Sequence, residues 1–328
     1  MREITPAGVI KFLERNPNSA GILPCPVSET TVGSVANVLL LLEYCMKAPN
    51  FSKQIFGIPL LLTEDDFLRR FQMDNQVFLS RFADLVPNQR SRFIHHVLVE
   101  PLLQFEKQIF EGDQGVLKKF DICALASLLP SIAKGRWCET NSLIPWDSKD
   151  GPTERWLKRL WEFLFKAHEK DPDTFSLTPL HKWPILPTEL KELAPLSKGK
   201  VILDLTTSDS WSLGQNTVVA LLRKLRCPEV DVELISSGRR WDLSPVLKQH
   251  LSYPNSSQDI LKVLDHLMRE DDISGYLSND EMILLLQFFQ HDTISLKQDR
   301  LLTSILKRLP FFKTFKGTFV SLENAESV

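Results

Sequence analysis

Glycine is scarce in this sequence, with 13 among 328 residues, where an average usage of roughly 7% would supply about 23. Loops that cradle a phosphate on backbone N–H groups need several glycines close together. The nearest pair here is Gly112 and Gly115, and neither G-x-G nor G-x-x-x-x-G-K occurs, which excludes the usual nucleotide-binding loops. Cysteine is sparse and odd in number: Cys25, Cys45, Cys123, Cys138 and Cys227, without a C-x-x-C pair. That usage excludes a disulfide framework or zinc site of the familiar spacings and suits a reducing cytosol. An excess of either charge is missing as well. Lysine plus arginine number 39 and aspartate plus glutamate 41, a formal charge of −2, so no electrostatic footprint for nucleic acid exists. Long apolar runs are absent: Val38–Leu42 and Met282–Leu286 fall far short of the roughly 20 residues that span a bilayer. Residues 1–16 mix charged and apolar positions and contain no signal-peptide core,. The expectation is a cytoplasmic chain with no nucleic-acid partner, no membrane insertion and no cofactor.

What is present is a globular composition, 43% hydrophobic and 24% charged. At this length roughly three quarters of the unfolded chain's surface can be buried. Thr5-Pro6 reads as an N-cap with proline at the first helical position, and Val9, Ile10 and Leu13 form one apolar face,. Val35, Val38, Leu39, Leu42 and Cys45 mark a second, core-facing helix,. Cys45 and Cys123 sit on apolar sides of helical patterns. Further helical patterns run over about 76–86, 88–111, 121–134, 153–168, 214–226, 257–269, 279–290 and 295–308, with Asp121 and Thr153 where N-caps belong. Trp156 and Trp161 share the 153–168 pattern with Leu157, Leu160 and Leu164, which reads as an amphipathic core helix,.

Two segments break the helical rhythm. Ile58–Phe71 carries acidic turn residues between two apolar runs and reads as a β-hairpin with Pro59 near an edge-strand start,. Leu309–Leu322 is similar, with Lys316-Gly317 supplying the turn,. They align Pro59 with Pro310 and Thr63 with Thr314; Trp183-Pro-Ile-Leu-Pro-Thr188, followed by an expected strand at Lys200–Leu205, is a looser third relative. Together these hint at a small repeated β element. The Ser-, Asp- and Pro-rich stretch Glu139–Pro152 is the clearest linker. The expected fold is α+β, mainly helical with small β-hairpins, divided into an N-terminal helical and hairpin subdomain at 1–148 and a C-terminal helical subdomain with a terminal hairpin at 149–328.

Four of these segments carry a resemblance. Phe56–Phe71; Trp183–Thr188 with Ala194–Ser197; Leu221–Pro228 with Val230-Asp231; and Leu309–Phe312 through Gly317–Leu322 resemble, in the same order, elements of the sacsin repeats. Two positions depart from that pattern: Asp65-Asp66 replaces the glycine of the first hairpin turn, and Arg226 stands where glycine precedes Cys227. The resemblance implies an internal sacsin-repeat segment outside the GHKL-type ATPase domain that opens each repeat, because the glycine-rich motifs of that domain are missing. It also implies a very large cytosolic co-chaperone scaffold as the setting, with a ubiquitin-like region, a J-domain that works with seventy-kilodalton heat-shock chaperones, and a link to neurofilament and mitochondrial organisation. The expected partners are therefore neighbouring sacsin modules and, through the whole scaffold, chaperone machinery and client proteins. No enzyme activity is expected.

Three constellations offer chemistry of their own. Glu270–Glu281 fits part of a twelve-residue EF-hand loop, with Glu270, Asp272, Ser274, Ser278 and Glu281 as calcium ligands and Gly275 at the turn,. The alternative is a helix end followed by a capping box from Ser278 to Glu281. Arg239, Arg240 and Trp241 place two guanidiniums beside an indole, an arrangement that holds an acidic peptide or a nucleotide base,; the plain alternative is a solvated loop. His95, His96 and Glu100 supply helical spacing but no third ligand or second shell, and read as surface residues,. No serine lies in G-x-S-x-G, and Cys138 beside Trp137 has no nucleophile signature,.

Overall fold

A computed structural model describes residues 4–15, 25–26, 34–49, 51–54, 56–72, 77–111, 117–146, 151–196, 213–236, 246–247, 250–251, 257–270, 276–290, 300–310, 312–314 and 319–325. The chain is mainly helical with small sheets of two or three strands, as the hydrophobic periodicity predicts. It divides into two compact units, Met1–Ala133 and Lys134–Val328.

In the first unit, helix α1 (Pro6–Arg15) begins at Thr5, whose hydroxyl accepts the Gly8 N–H at 3.2 Å. It buries Ile10 and Leu13 against helix α2 (Val35–Met46), which contributes Val38, Leu42 and Cys45, and the short helix α3 (Phe51–Gln54) follows. Strand β1 (Cys25–Pro26) pairs antiparallel with β3 (Phe67–Arg69), which pairs with β2 (Leu61–Leu62). The hairpin β2–β3 is the one expected at Ile58–Phe71, and Ile58, Leu60, Leu61, Leu62 and Phe71 are all fully buried. The segments expected to be helical at 76–86 and 88–95 are not regular α-helix. Strand β4 (Phe78–Leu79) runs parallel to β5 (Lys118–Lys119), and 3₁₀ turns cover Ala83–Leu85 and Pro87–Arg92 before helices α4 (His96–Leu103) and α5 (Glu106–Glu111). Two causes are visible. Pro87 removes a helical donor, and Phe78, Phe93 and Phe120 pack as a trio with centroids 5.0–5.5 Å apart, which holds their backbones extended. Helix α6 (Ile122–Leu128) is capped by Asp121 as expected, its carboxylate accepting the Ala124 N–H at 2.8 Å. Cys123 on that helix is exposed rather than on the apolar side, because Ile122, Leu125 and Leu128 take the buried face.

The second unit opens with Lys134–Trp146, which packs into it: the Trp137 Nε1–H donates to the Pro184 carbonyl, and the Thr140 and Trp146 N–H groups donate to Lys182 and Lys191. Strand β6 (Ile144–Pro145) pairs with β8 (Glu192–Pro195), which pairs with β7 (Pro184–Pro187). Helix α7 (Glu154–Lys170), capped by Thr153, carries the expected amphipathic face, with Leu157, Leu160, Trp161 and Leu164 fully buried. A second core joins helices α8 (Leu213–Lys224), α10 (Ser257–Glu270), α11 (Asn279–Gln290) and α12 (Arg300–Arg308). Strands β9 (Phe312–Lys313) and β10 (Phe319–Val320) form the terminal hairpin. The strand expected at Lys200–Leu205 and the turn at Lys316-Gly317 lie outside the described residues.

Helix α8 ends in a Schellman motif: the Arg226 N–H donates to the Arg223 carbonyl and the Cys227 N–H to Leu222, with Arg226 at φ 56°,. A non-glycine residue in this left-handed region costs roughly 1–2 kcal/mol. Arg226→Gly is therefore expected to raise stability by about 1 kcal/mol, read as a higher urea midpoint at unchanged m-value.

Candidate functional site

Among the described residues one structural device occurs twice, once in each unit. Thr63 and Thr188 end the first strands of the two hairpins, and both are fully buried. Each donates its N–H across the turn, Thr63 to the Phe67 carbonyl at 3.1 Å and Thr188 to Glu192 at 3.0 Å. Each accepts at its own carbonyl from the residue three positions on, Asp66 and Lys191, and those two residues adopt φ 63° and 58°. This is the three-residue hairpin loop that closes with a left-handed residue. The strand entering from upstream has the same register in both copies, with Pro26 opposite Phe67 and Pro145 opposite Glu192.

An extended tripeptide then lies on the other edge of each hairpin and leads into a helix. In the first unit Glu64 N–H donates to the Phe93 carbonyl and His95 N–H to Leu62, both at 2.9 Å, around the bridge Thr63–Ile94. In the second, Glu189 N–H donates to Glu229 at 2.8 Å and Asp231 N–H to Pro187 at 2.9 Å, around Thr188–Val230. The third residue of each tripeptide caps the helix that follows. His95 Nδ1 accepts the Val97 N–H at 3.3 Å at the start of α4, and Asp231 Oδ1 accepts the Leu234 N–H at 2.9 Å at the start of α9 (Val232–Ser236).

The left-handed turn residue faces the cap residue in both copies, with the charges exchanged. Asp66 Oδ1 lies 3.5 Å from His95 Nε2, and Lys191 Nζ lies 3.6 Å from Asp231 Oδ2. Around the first junction Glu64 accepts the His96 N–H at 2.6 Å and sits 3.3 Å from His96 Nδ1 and 3.7 Å from Arg90. Around the second, Arg223 grips Glu229 with two hydrogen bonds of 3.0 Å. Burial holds His95 below the ordinary imidazole range, helped by the neighbouring His96 and opposed by Glu64 and Asp66. Burial together with the carboxylates of Asp231 and Glu229 pushes Glu189 up.

Neither junction follows from the sequence reading, which took His95 as a surface residue; it is 6% exposed. The usable signal is the spacing of the threonines, 63, 188 and 314, with glutamate after the first two. His96 and Glu100 are not brought together: Glu100 pairs with Arg81 at 2.5 Å. Among the described residues no group of three or more His, Cys, Asp and Glu is placed to hold a metal ion. Burial pushes the thiols of Cys45 and Cys227 up to about 11 and about 12, so both stay protonated and inert.

The calcium candidates fare similarly. Ser278 and Glu281 form the capping box, with the Ser278 N–H donating to Glu281 at 2.7 Å and the Glu281 N–H to the Ser278 hydroxyl at 3.4 Å. Lys224 donates to both oxygens of the Glu281 carboxylate, at 2.7 and 2.6 Å, and with the serine bonds holds its pKa down to about 2. That is the carboxylate a bidentate calcium ligand would use. Ser278 also takes the place that Ser34 and Thr153 take as hydroxyl caps of α2 and α7. Glu270 ends helix α10, while Asp272, Ser274 and the trio Arg239, Arg240 and Trp241 lie outside the described residues.

The quoted resemblance segments thus supply the hairpins, the Schellman end of α8 and the cap at Asp231, and they do so along the length of the chain. The chain is similar to human Sacsin. Identity is 27% over 343 residues, covering 97% of this chain and 7% of Sacsin. No family model and no solved structure matches the chain. The chain is thus similar to Sacsin along nearly its whole length, and it spans a small part of the length of Sacsin itself. No helix among the described residues is long and apolar enough to cross a membrane.

Proposed function

We propose that this chain is a structural and protein-interaction module of a large, cytoplasmic, sacsin-like co-chaperone scaffold. It makes contacts with neighbouring modules and with clients and carries no catalytic reaction of its own. The observation behind this reading is the similarity to Sacsin over 97% of the chain. The polar groups at both junctions support it, since they are committed to hairpin and helix-end hydrogen bonds, as a packing module requires. In this setting the neighbouring modules, chaperone machinery and clients are the partners, neurofilament organisation is the wider role, and nucleic acid, membrane and cofactors have none.

The competing calcium reading is disfavoured by the Lys224–Glu281 pair, and one experiment separates the two. The melting temperature of the purified chain is measured with millimolar calcium, magnesium or ATP, and binding to a reduced, carboxymethylated protein is measured by fluorescence anisotropy. The expected result is no shift with the small ligands and saturable binding of the unfolded protein. A rise with calcium alone, which mass action gives for any ligand that binds only the folded state, would replace the scaffold reading with a calcium module. Absence of binding to the unfolded protein would remove the client contacts from it.

A further inference from the structure

We propose that His95, at its junction with Asp66, is an acid-sensitive cap, which lets the first turn of helix α4 open when His95 takes up a proton, while the cap at the Lys191–Asp231 junction holds over the same pH range.

The geometry fixes the tautomer. Nδ1 of His95 accepts the Val97 N–H at 3.3 Å, so the ring's single proton sits on Nε2, which faces Asp66 Oδ1 at 3.5 Å. A second proton can enter only at Nδ1. There it turns the acceptor into a donor pointed at a donor and sets a positive charge at the positive end of the α4 dipole. The ring is nearly buried, 6% exposed, so water cannot replace the lost bond without opening the junction. The groups that face His95 are those of the hairpin turn, Glu64 and Asp66; Arg90 from the 3₁₀ segment; and His96, whose ring stacks on it at 4.2 Å. The two carboxylates favour the imidazolium, while Arg90, His96 and burial oppose it.

Sign follows from this balance. A histidine whose folded-state pKa lies below its unfolded value contributes stability that is present above the unfolded pKa and is lost as pH falls through the folded one. In the second unit the cap is a carboxylate and the turn residue an amine, with Glu189 and Glu229 beside them and no imidazole at either place. The same mechanical joint is therefore built once with an imidazole cap and once with a carboxylate cap.

The test is hydrogen exchange on the full chain between pH 7.5 and 5.5, corrected for intrinsic rates, comparing the 95–103 segment with the 231–236 segment. Protection of 95–103 is expected to fall as pH drops, by up to tenfold per unit for one proton, with 231–236 unchanged. His95→Asn, which caps without titrating, is expected to flatten the profile, and His96→Gln to leave the fall in place. The double variant D66K/H95D, which transplants the pair of the second junction, is expected to fold and show no fall; H95D alone opposes two carboxylates and loses protection at every pH. A flat wild-type profile, or an undiminished fall in either H95N or D66K/H95D, overturns the proposal.

Discussion

Trp161→Ala is expected to destabilise the second unit by about 3–5 kcal/mol, among the largest effects any single substitution in this chain should have. Trp161 is fully buried in the middle of helix α7, beside Phe165 at 6.1 Å between ring centroids. Its Nε1–H donates to the Ile185 carbonyl at 3.0 Å, which clips the helix to strand β7. Truncation to alanine removes the apolar contact, leaves a cavity and orphans that carbonyl at once. Trp161→Phe helps to separate the terms, since it keeps much of the ring volume while losing the donor, and should cost roughly 1–3 kcal/mol. All seven tryptophans of the chain lie beyond Lys134, so selectively excited tryptophan fluorescence follows the second unit alone while far-UV circular dichroism follows both. An alanine variant whose fluorescence transition in urea coincides with that of the parent would show that α7 is not fastened through this ring.

The sequence revealed elements whose signal is local. Thr5, Asp121 and Thr153 cap helices where a hydroxyl or carboxylate precedes an apolar rhythm, and the capping box at Ser278 and Glu281 was visible as one of two readings. The hairpin at Ile58–Phe71 was legible in full, whereas in the second only the first strand, ending at Thr188, was legible; the strand expected to follow was Lys200–Leu205, and the observed partner is Glu192–Pro195. The two departures from the sacsin-repeat pattern fell on meaningful backbone: Asp66 and Arg226, where glycine was anticipated, adopt positive φ. What stayed hidden is what long-range pairing creates. The Thr63–Ile94 and Thr188–Val230 bridges join residues 31 and 42 apart in sequence, and no periodicity reports such a partner. His95 looked exposed because two of its partners, the Leu62 carbonyl and Asp66, come from the hairpin rather than from its own helix. The extended backbone at Phe78 and Phe93 was misread as helix for the same reason, since the aromatic trio that holds it assembles only in three dimensions.

That trio sets the second large expectation. Phe93→Ala should cost the first unit about 3–5 kcal/mol. The ring is fully buried, 5.5 Å from Phe78 and 5.0 Å from Phe120 in a tilted and an edge-to-face arrangement. Its own backbone carbonyl accepts the Glu64 N–H at 2.9 Å, so Phe93 joins the aromatic cluster to the hairpin junction. Phe93→Leu retains most of the apolar volume and gives up the ring–ring geometry, for which roughly 0.5–1.5 kcal/mol is the usual value. The readout must avoid tryptophan, and the far-UV transition together with exchange in the 60–69 and 95–103 segments serves. If Phe93→Ala lowers protection in both segments while 231–236 keeps its own, the ring is the wedge that seats the tripeptide on the hairpin. If only the segments around Phe78 and Phe120 loosen, the backbone ladder at Leu62, Thr63 and Glu64 holds the junction without it, and the cap at His95 then depends on hydrogen bonds and charge alone.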